Sequence, residues 1–162
     1  MGNNSFKRVL AIVLAATCML AFSFSATFAS VESPTSGLQK GTDNGTYYCD
    51  VTAKTASLNK IFKKSVKVKS IPGTVTHDGV TCKITTIKKN AFKGCKKLTK
   101  IVIKDKYLTK VQKGAFNGAP KLKTIKIVKS KVGGKAKANK IKKLLLKGMT
   151  AKQKKKIKIK IV

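Results

Sequence analysis

A histidine, an adjacent aspartate and a nearby cysteine are the residues of this chain whose types and spacing could do chemistry. His77 is the only histidine, Asp78 follows it, and Cys82 lies five residues after His77. A cysteine paired with a histidine can act as a nucleophile. No third group that would orient the pair is evident, and catalysis needs a spatial constellation. His-Asp-Gly is also an ordinary turn sequence, so we interpret His77 as a turn residue.

Carboxylates and cofactor motifs give no further catalytic signal. Four aspartates are scattered along the chain without a spacing that suggests an acid-base pair: Asp43, Asp50, Asp78 and Asp105. The chain has no G-x-G-x-x-G motif and no P-loop, and its cysteines lack close metal-ligand spacing. The sequence therefore predicts a protein that is not an enzyme, with no cofactor, no metal and no small-molecule substrate.

The charge of the chain is extreme. Lysine and arginine number 37 against five acidic residues, which gives a net charge of +32. The only arginine is Arg8, and lysine is a compact point charge that suits diffuse attraction better than geometry-specific contacts. Such a surface suits a polyanion. The alternative is that lysines solubilise an Ile/Val-rich β fold and prevent its edge strands from pairing with other chains. Base composition alone does not explain the excess of lysine. An A/T-rich genome would favour glutamate as well, yet Glu32 is the only glutamate.

The N-terminus has the pattern of a secretory signal peptide. Lys7 and Arg8 precede the apolar run "VLAIVLAATCMLAFSF" and the small residues "SATFAS". We predict a signal peptide over residues 1–29, cleaved after Ala29. A retained membrane anchor is the alternative, and Thr17 before Cys18 disfavours a lipoprotein. No second apolar run has spanning length, so we expect a secreted or cell-surface protein that meets the membrane only through its signal peptide.

Two segments precede the central part of the chain. Residues 30–45 are polar and rich in Ser, Thr and Gly, which favours a linker. Residues 46–83 are predicted to form a β lead-in that caps the domain. Within it, "SVKVKSI" (65–71) alternates valine and lysine with the period of a half-buried strand. Asp78-Gly79, between two short β runs, is a strong hairpin signal.

The central part of the chain repeats itself after 24 residues. "NAFKGCKKLTKIVI", from Asn90, returns as "GAFNGAPKLKTIKI", from Gly114. Eight positions match without a gap: Ile84, Ile87, Ala91, Phe92, Gly94, Leu98, Ile101 and Ile103 correspond to Leu108, Val111, Ala115, Phe116, Gly118, Leu122, Ile125 and Ile127. A fixed period of this length indicates a solenoid whose units stack to share one core. We place two repeats at residues 84–131.

Each repeat combines a short helical turn around Ala-Phe-x-Gly with a strand of the pattern L-x-x-L-x-L, the core of a leucine-rich repeat. The phrase I-x-x-I-x-x-x-A-F-x-G-C-x-x-L-x-x-I-x-I resembles the BspA-type leucine-rich repeat family of exported and surface proteins. The resemblance implies an α+β repeat fold, a short solenoid of stacked strands and short helical turns preceded by a β-hairpin region. It also implies a role in surface interaction or adhesion.

Residues 132–162 are predicted to be a degenerate repeat that caps the solenoid. "KAKANKIKKLLLKGM" has apolar residues at helical spacing and ends near Gly148, and "KKKIKIKIV" alternates like a last strand. Terminal units of solenoids are atypical because they close the stack. The alternative is an amphipathic, membrane-active helix over residues 136–147.

Lysines between the buried positions of the strands are the candidate binding residues. They are Lys100, Lys104, Lys123, Lys126, Lys156, Lys158 and Lys160. On stacked strands about 4.8 Å apart they would form a dense positive face. Expected partners are teichoic acid, a glycosaminoglycan or extracellular nucleic acid, or else a host or surface protein. A cationic membrane- or nucleic-acid-binding protein is the alternative function. Cys49 and Cys82 lie on predicted strands and could form a disulfide, or remain two separate buried thiols.

Overall fold

This computed structural model describes residues 36–162, which form ten strands and three helices joined by turns and loops. The strands are β1 (Gly37–Lys40), β2 (Gly45–Asp50), β3 (Thr55–Ile61), β4 (Val68–Ile71), β5 (Thr74–His77), β6 (Val80–Ile87), β7 (Lys100–Ile103), β8 (Lys110–Val111), β9 (Thr124–Ile127) and β10 (Lys158–Ile161). The helices are α1 (Lys129–Val132), α2 (Lys135–Gly148) and α3 (Ala151–Lys156). The predicted signal peptide lies outside the described residues.

Strands β1, β2, β3, β6, β5 and β8 form a mixed sheet. The first three are antiparallel neighbours, β3 pairs with β6 in parallel, and β5 returns antiparallel to β6. Asp78 and Gly79 join β5 to β6 with positive φ angles of 47° and 75°. Positive φ at both central residues is what a type I′ hairpin turn requires, so the predicted hairpin is present.

Strands β4, β7, β9 and β10 form a second sheet in which every pairing is parallel. Lys100 pairs with Thr124, which is the 24-residue step of the repeat. The mixed sheet shows the same step where Thr86 of β6 pairs with Lys110 of β8. Each repeat therefore contributes one strand to each sheet. The core lies between the two sheets.

The repeated apolar positions form one continuous core. All seven matched apolar side chains of each repeat are buried, and the Phe92 and Phe116 rings stack with centroids 5.5 Å apart. Gly94 and Gly118 have φ angles of 83° and 82°, a conformation that glycine adopts at no steric cost. A Cβ on Gly118 would lie 2.7 Å from Lys93 Cα, so this glycine also allows neighbouring turns to stack closely.

The connections between the two sheets are hydrogen-bonded turns, where the sequence predicted short helical turns. In the first repeat Lys93 N donates to Asn90 O at 2.8 Å, and Cys95 N donates to Phe92 O at 3.1 Å. Asn90 has a positive φ of 60°, and Gly94 follows with the same sign. Two residues in the left-handed backbone conformation, four positions apart, prevent a continuous right-handed helix.

Residues that were expected to be a linker belong to the mixed sheet. Gly37–Lys40 forms β1, which pairs with β2 from Gly37↔Cys49 to Lys40↔Thr46, and Gly45 begins β2. The linker prediction for residues 30–45 is therefore wrong over these residues. A polar four-residue segment carries almost no strand signal, and here the hydrogen bonds of a neighbouring strand stabilise it.

The C-terminal segment packs against the second repeat. Helix α2 buries Ala138, Ile141 and Leu145 against the core, and β10 adds to the parallel sheet beside β9. A capping box at Thr150 and Gln153 begins α3, which occupies part of the segment where the sequence indicated a strand. Among residues 36–162, no helix is both long and apolar enough to cross a membrane.

Candidate functional site

The parallel sheet presents two rows of side chains that point away from the core. One row contains Val68, Lys100, Thr124 and Lys158, and the other contains Ser70, Val102, Lys126 and Lys160. We call these eight residues the parallel-sheet face. Lys126 and Lys160 lie on neighbouring strands, about 4.8 Å apart. Thr124 separates Lys100 from Lys158, so the lysines share a face without forming unbroken columns.

The other three lysines of the predicted set lie outside these rows. Lys104 follows β7 and Lys123 precedes β9, and both are exposed. Lys156 is the last residue of α3, and its Nζ donates to the carbonyl oxygen of Pro120. The expectation that Lys156 continues the row is wrong, because β10 begins only at Lys158.

Nearly all of the positive charge lacks an internal counter-charge. Residues 36–162 contain 35 lysines and four aspartates, a net charge of +31. Within them, Lys69 is the one lysine that forms a salt bridge, with Asp43. Lysines also cover α2 and α3, where they make up six of 14 and four of six residues. The parallel-sheet face is therefore one lysine-bearing surface among several.

Lys69 occupies a core position. It pairs with Ile101 in the sheet register, is 2% exposed, and donates through Nζ to the carboxylate and the carbonyl oxygen of Asp43. Burial lowers the pKa of Lys69, and the hydrogen bond to Asp43 opposes that shift. The Tyr47 hydroxyl donates to the same carboxylate, and burial followed by the Asp43 charge raises the pKa of Tyr47. This ion pair anchors the β1–β2 turn to the parallel sheet.

Asp105 is a second buried acid, after the end of β7. Its Oδ1 accepts a 2.7 Å hydrogen bond from Tyr107 N, while Oδ2 is buried and has no partner among the described residues. Burial raises the pKa of this carboxyl to about 7, although the backbone N–H groups of Tyr107 and Leu108 act in the opposite direction. Neither the Lys69–Asp43 pair nor Asp105 has a signal in the sequence, since their burial depends on contacts between distant segments.

His77 and Cys82 lie on paired strands of the hairpin, and they make different hydrogen bonds. His77 Nδ1 lies 3.1 Å from Gln39 Oε1, whereas Cys82 is buried with its thiol 3.7 Å from Asp50 O. Each side chain thus has a different partner. Among residues 36–162, no group of three or more His, Cys, Asp or Glu residues is arranged to hold a metal ion.

Cys49 and Cys82 are both free, buried thiols. Burial, followed by the neighbouring Cys82, raises the pKa of Cys49 to about 11. Strand β3 lies between β2 and β6, which carry the two cysteines, yet the two buried thiols are close enough to affect each other's ionisation. The disulfide between them stays a prediction.

Two stacked sheets built from a 24-residue repeat define a leucine-rich-repeat type of solenoid. A family model described as "BspA type Leucine rich repeat region (6 copies)" matches residues 58–138, which are 81 of the 162 residues. The chain belongs to the BspA-type leucine-rich repeat family. The match begins well before Ile84, and β3 and β4 accordingly pair with strands of the repeats. Membership in this family supports a non-catalytic repeat module that acts through interaction.

One solved structure with similarity is described as a leucine rich cell surface protein from Faecalibacterium prausnitzii A2-165. The two share 23% sequence identity over 59% of this chain, with a TM-score of 0.48. This chain spans 24% of the length of that protein. No curated protein matches the sequence.

Proposed function

We propose that this protein is an exported interaction module that attracts anionic polymers at the cell surface, with the parallel-sheet face as the principal contact. The observation that carries the proposal is the lack of internal counter-charge: one lysine of the 35 in residues 36–162 is salt-bridged. The chemical class of partner is a polyanion such as teichoic acid, a glycosaminoglycan or extracellular nucleic acid. A host or surface protein with an acidic surface belongs to the same class of interaction.

Repulsion between neighbouring lysines is a second argument that the parallel-sheet face contacts an anionic polymer. Like charges directly opposite one another on paired strands destabilise a sheet, and Lys126 and Lys160 form such a pair. An anionic chain laid across the strands would relieve that repulsion. The inward side chains of β7 and β9 are buried and those of β10 are partly buried, so the four lysines project from strands packed on the core.

The placement of aromatic residues favours contact with charge over stacking on bases. Binding of single-stranded nucleic acid ordinarily uses aromatic side chains as platforms. The parallel-sheet face has none: Tyr47 is buried, and Tyr48 and Tyr107 lie beneath lysine ammonium groups elsewhere. Helix α2 is poorly suited to membrane insertion, because Ala138, Ile141 and Leu145 already face the core.

The test compares two variants with the same change in net charge. In one, Lys100, Lys126, Lys158 and Lys160 are replaced by glutamine; in the other, Lys137, Lys140, Lys142 and Lys143 of α2 are replaced. Binding to bacterial walls with and without teichoic acid, to heparin and to DNA is measured over a salt series. We expect wild-type binding that weakens with salt, and a logarithmic salt slope that is shallower by roughly three or four in the face variant.

Two results would count against the proposal. Equal losses in both variants would mean that charge acts over the whole surface and that the parallel-sheet face is not a site. No binding by the wild-type protein at physiological salt would leave the lysines as a solubilising surface.

A further inference from the structure

We propose that an open cleft beside α3 binds an acidic segment of another protein that carries large apolar side chains. The cleft has a volume of about 520 Å³ and lies between α3 and the turns of the two repeats. Pockets of roughly 300–1,000 Å³ are the usual size for specific ligand sites. This site shares no residue with the parallel-sheet face.

The floor and the rim of the cleft differ in chemistry. The apolar floor is formed by Pro120, which is exposed, with small exposed parts of Ala119 and Ile157. Phe116 and Leu122 also border the cleft, but they are about 1% exposed. Lys96, Lys152 and Lys156 line the cleft from two sides, and all three are exposed. Lys152 and Lys156 are four residues apart on α3, so they lie on one side of the helix.

Helix α3 borders the cleft without filling it. None of its six residues is buried. Its side chains reach the neighbouring repeat through two hydrogen bonds, from Gln153 Nε2 to Asn117 Oδ1 at 3.3 Å and from Lys156 Nζ to Pro120 O. A helix held at its rim by polar contacts leaves the cleft open, with Pro120 as its exposed apolar surface.

Charge and hydrogen-bonding groups define the occupant. No acidic residue lines the cleft, so three ammonium groups favour a ligand that carries carboxylates. The floor favours an apolar side chain, and the amides of Asn117 and Gln153 can exchange hydrogen bonds with a peptide backbone. A second copy of this chain is a poor fit, because residues 36–162 hold four aspartates, of which Asp43 is salt-bridged and Asp105 is buried.

The test uses two fluorescein-labelled peptides of equal charge. One alternates glutamate and phenylalanine, and in the other every phenylalanine is replaced by serine. Fluorescence anisotropy is measured with the purified protein at physiological and at raised salt. We expect the phenylalanine peptide to bind at least about tenfold more tightly, and to keep most of that advantage at raised salt, because burial of apolar groups is not screened.

Variants on a single helix provide the matched control. Lys152→Gln with Lys156→Gln changes the cleft, whereas Lys154→Gln with Lys155→Gln removes the same charge from α3 outside the cleft lining. We expect the first pair to weaken peptide binding by about tenfold or more and the second pair by less than about twofold. Ala119→Phe, which would occupy the floor, should abolish the preference for phenylalanine while circular dichroism reports an intact fold.

Equal affinity for the two peptides, or equal effects of the two double variants, would overturn the proposal. Peptide binding is also measured with the parallel-sheet variant, and binding to teichoic acid with the α3 variants. A wild-type protein that binds the phenylalanine peptide but none of the polymers would refute the proposed function alone. A wild-type protein that binds the polymers but does not distinguish the two peptides would refute the cleft alone.

Discussion

Asparagine in place of Asp105 should make this protein more stable at alkaline pH and flatten the dependence of its stability on pH. The carboxyl is fully buried, and one of its oxygens has no hydrogen-bond partner among the described residues. Burial disfavours the charged form and raises the folded-state pKa to about 7 from the ordinary value of 3.8. The native state therefore binds this proton more tightly than the unfolded chain does.

The magnitude follows from linkage between protonation and folding. With the folded pKa raised, the favourable contribution of the protonated carboxyl is complete below about pH 4 and is lost as the pH rises through 7. The full loss is about 4 kcal/mol at 1.36 kcal/mol per pKa unit. Between pH 5 and pH 8 the linkage relation gives a loss of about 2–3 kcal/mol. For a domain of this size that corresponds to roughly 10 °C in melting temperature.

The assay is urea denaturation of the wild-type protein and of Asp105→Asn at several pH values. The buried amide of asparagine lacks a partner where Oδ2 now lies, which costs about 1–3 kcal/mol at every pH. The informative quantity is therefore the change in the difference between the two proteins from pH 5 to pH 8, in which this constant cost cancels. Asp50→Asn serves as the control, because its carboxylate accepts a solvent-exposed hydrogen bond from Ala53 N.

We expect the Asp105→Asn protein to gain about 2–3 kcal/mol relative to wild type between those pH values, and the control to change by much less. Parallel pH profiles for wild type and Asp105→Asn would show that Asp105 ionises at its ordinary pKa. The inferred cost of the buried charge would then be wrong.

Two further predictions concern packing and the buried ion pair. Gly118→Ala should destabilise the fold by at least about 1 kcal/mol more than Gly79→Ala, because both positions have positive φ but only the Cβ at 118 meets backbone, and equal melting temperatures would contradict this. Lys69→Met should cost about 3–5 kcal/mol while Asp43 remains charged, and much less in combination with Asp43→Asn; additive losses in urea denaturation would show that the two residues do not interact.

The repeat was predictable because it depends on local pattern. The 24-residue period, its buried positions and the glycines of the turns can all be read from residue types, and the structure buries the matched apolar side chains. The Asp78-Gly79 hairpin and helix α2 followed from equally local signals. The family resemblance rested on these same residues, and the family match over 58–138 confirms it.

Strand β4 shows where the alternation of residue types predicted the wrong side chains for the core. Alternation in "SVKVKSI" suggests valine inside and lysine outside, yet Val68 is 52% exposed and Lys69 is buried. Ile71 pairs with Ile103 and faces the core, and the two-residue period then turns Lys69 inward as well. The inward lysine is tolerated because Asp43, 26 residues earlier in the chain, supplies a counter-charge.

The sequence by itself determined the charge of this protein, its repeat and its family, since each is a property of residue types and spacing. The tertiary structure decided which lysines share a face, that Asp105 and Lys69 are buried, and that a cleft opens beside α3. Those features arise from strand register and from contacts between distant segments. A local pattern holds no information on either, because a shift of one residue moves every side chain of a strand to its other face.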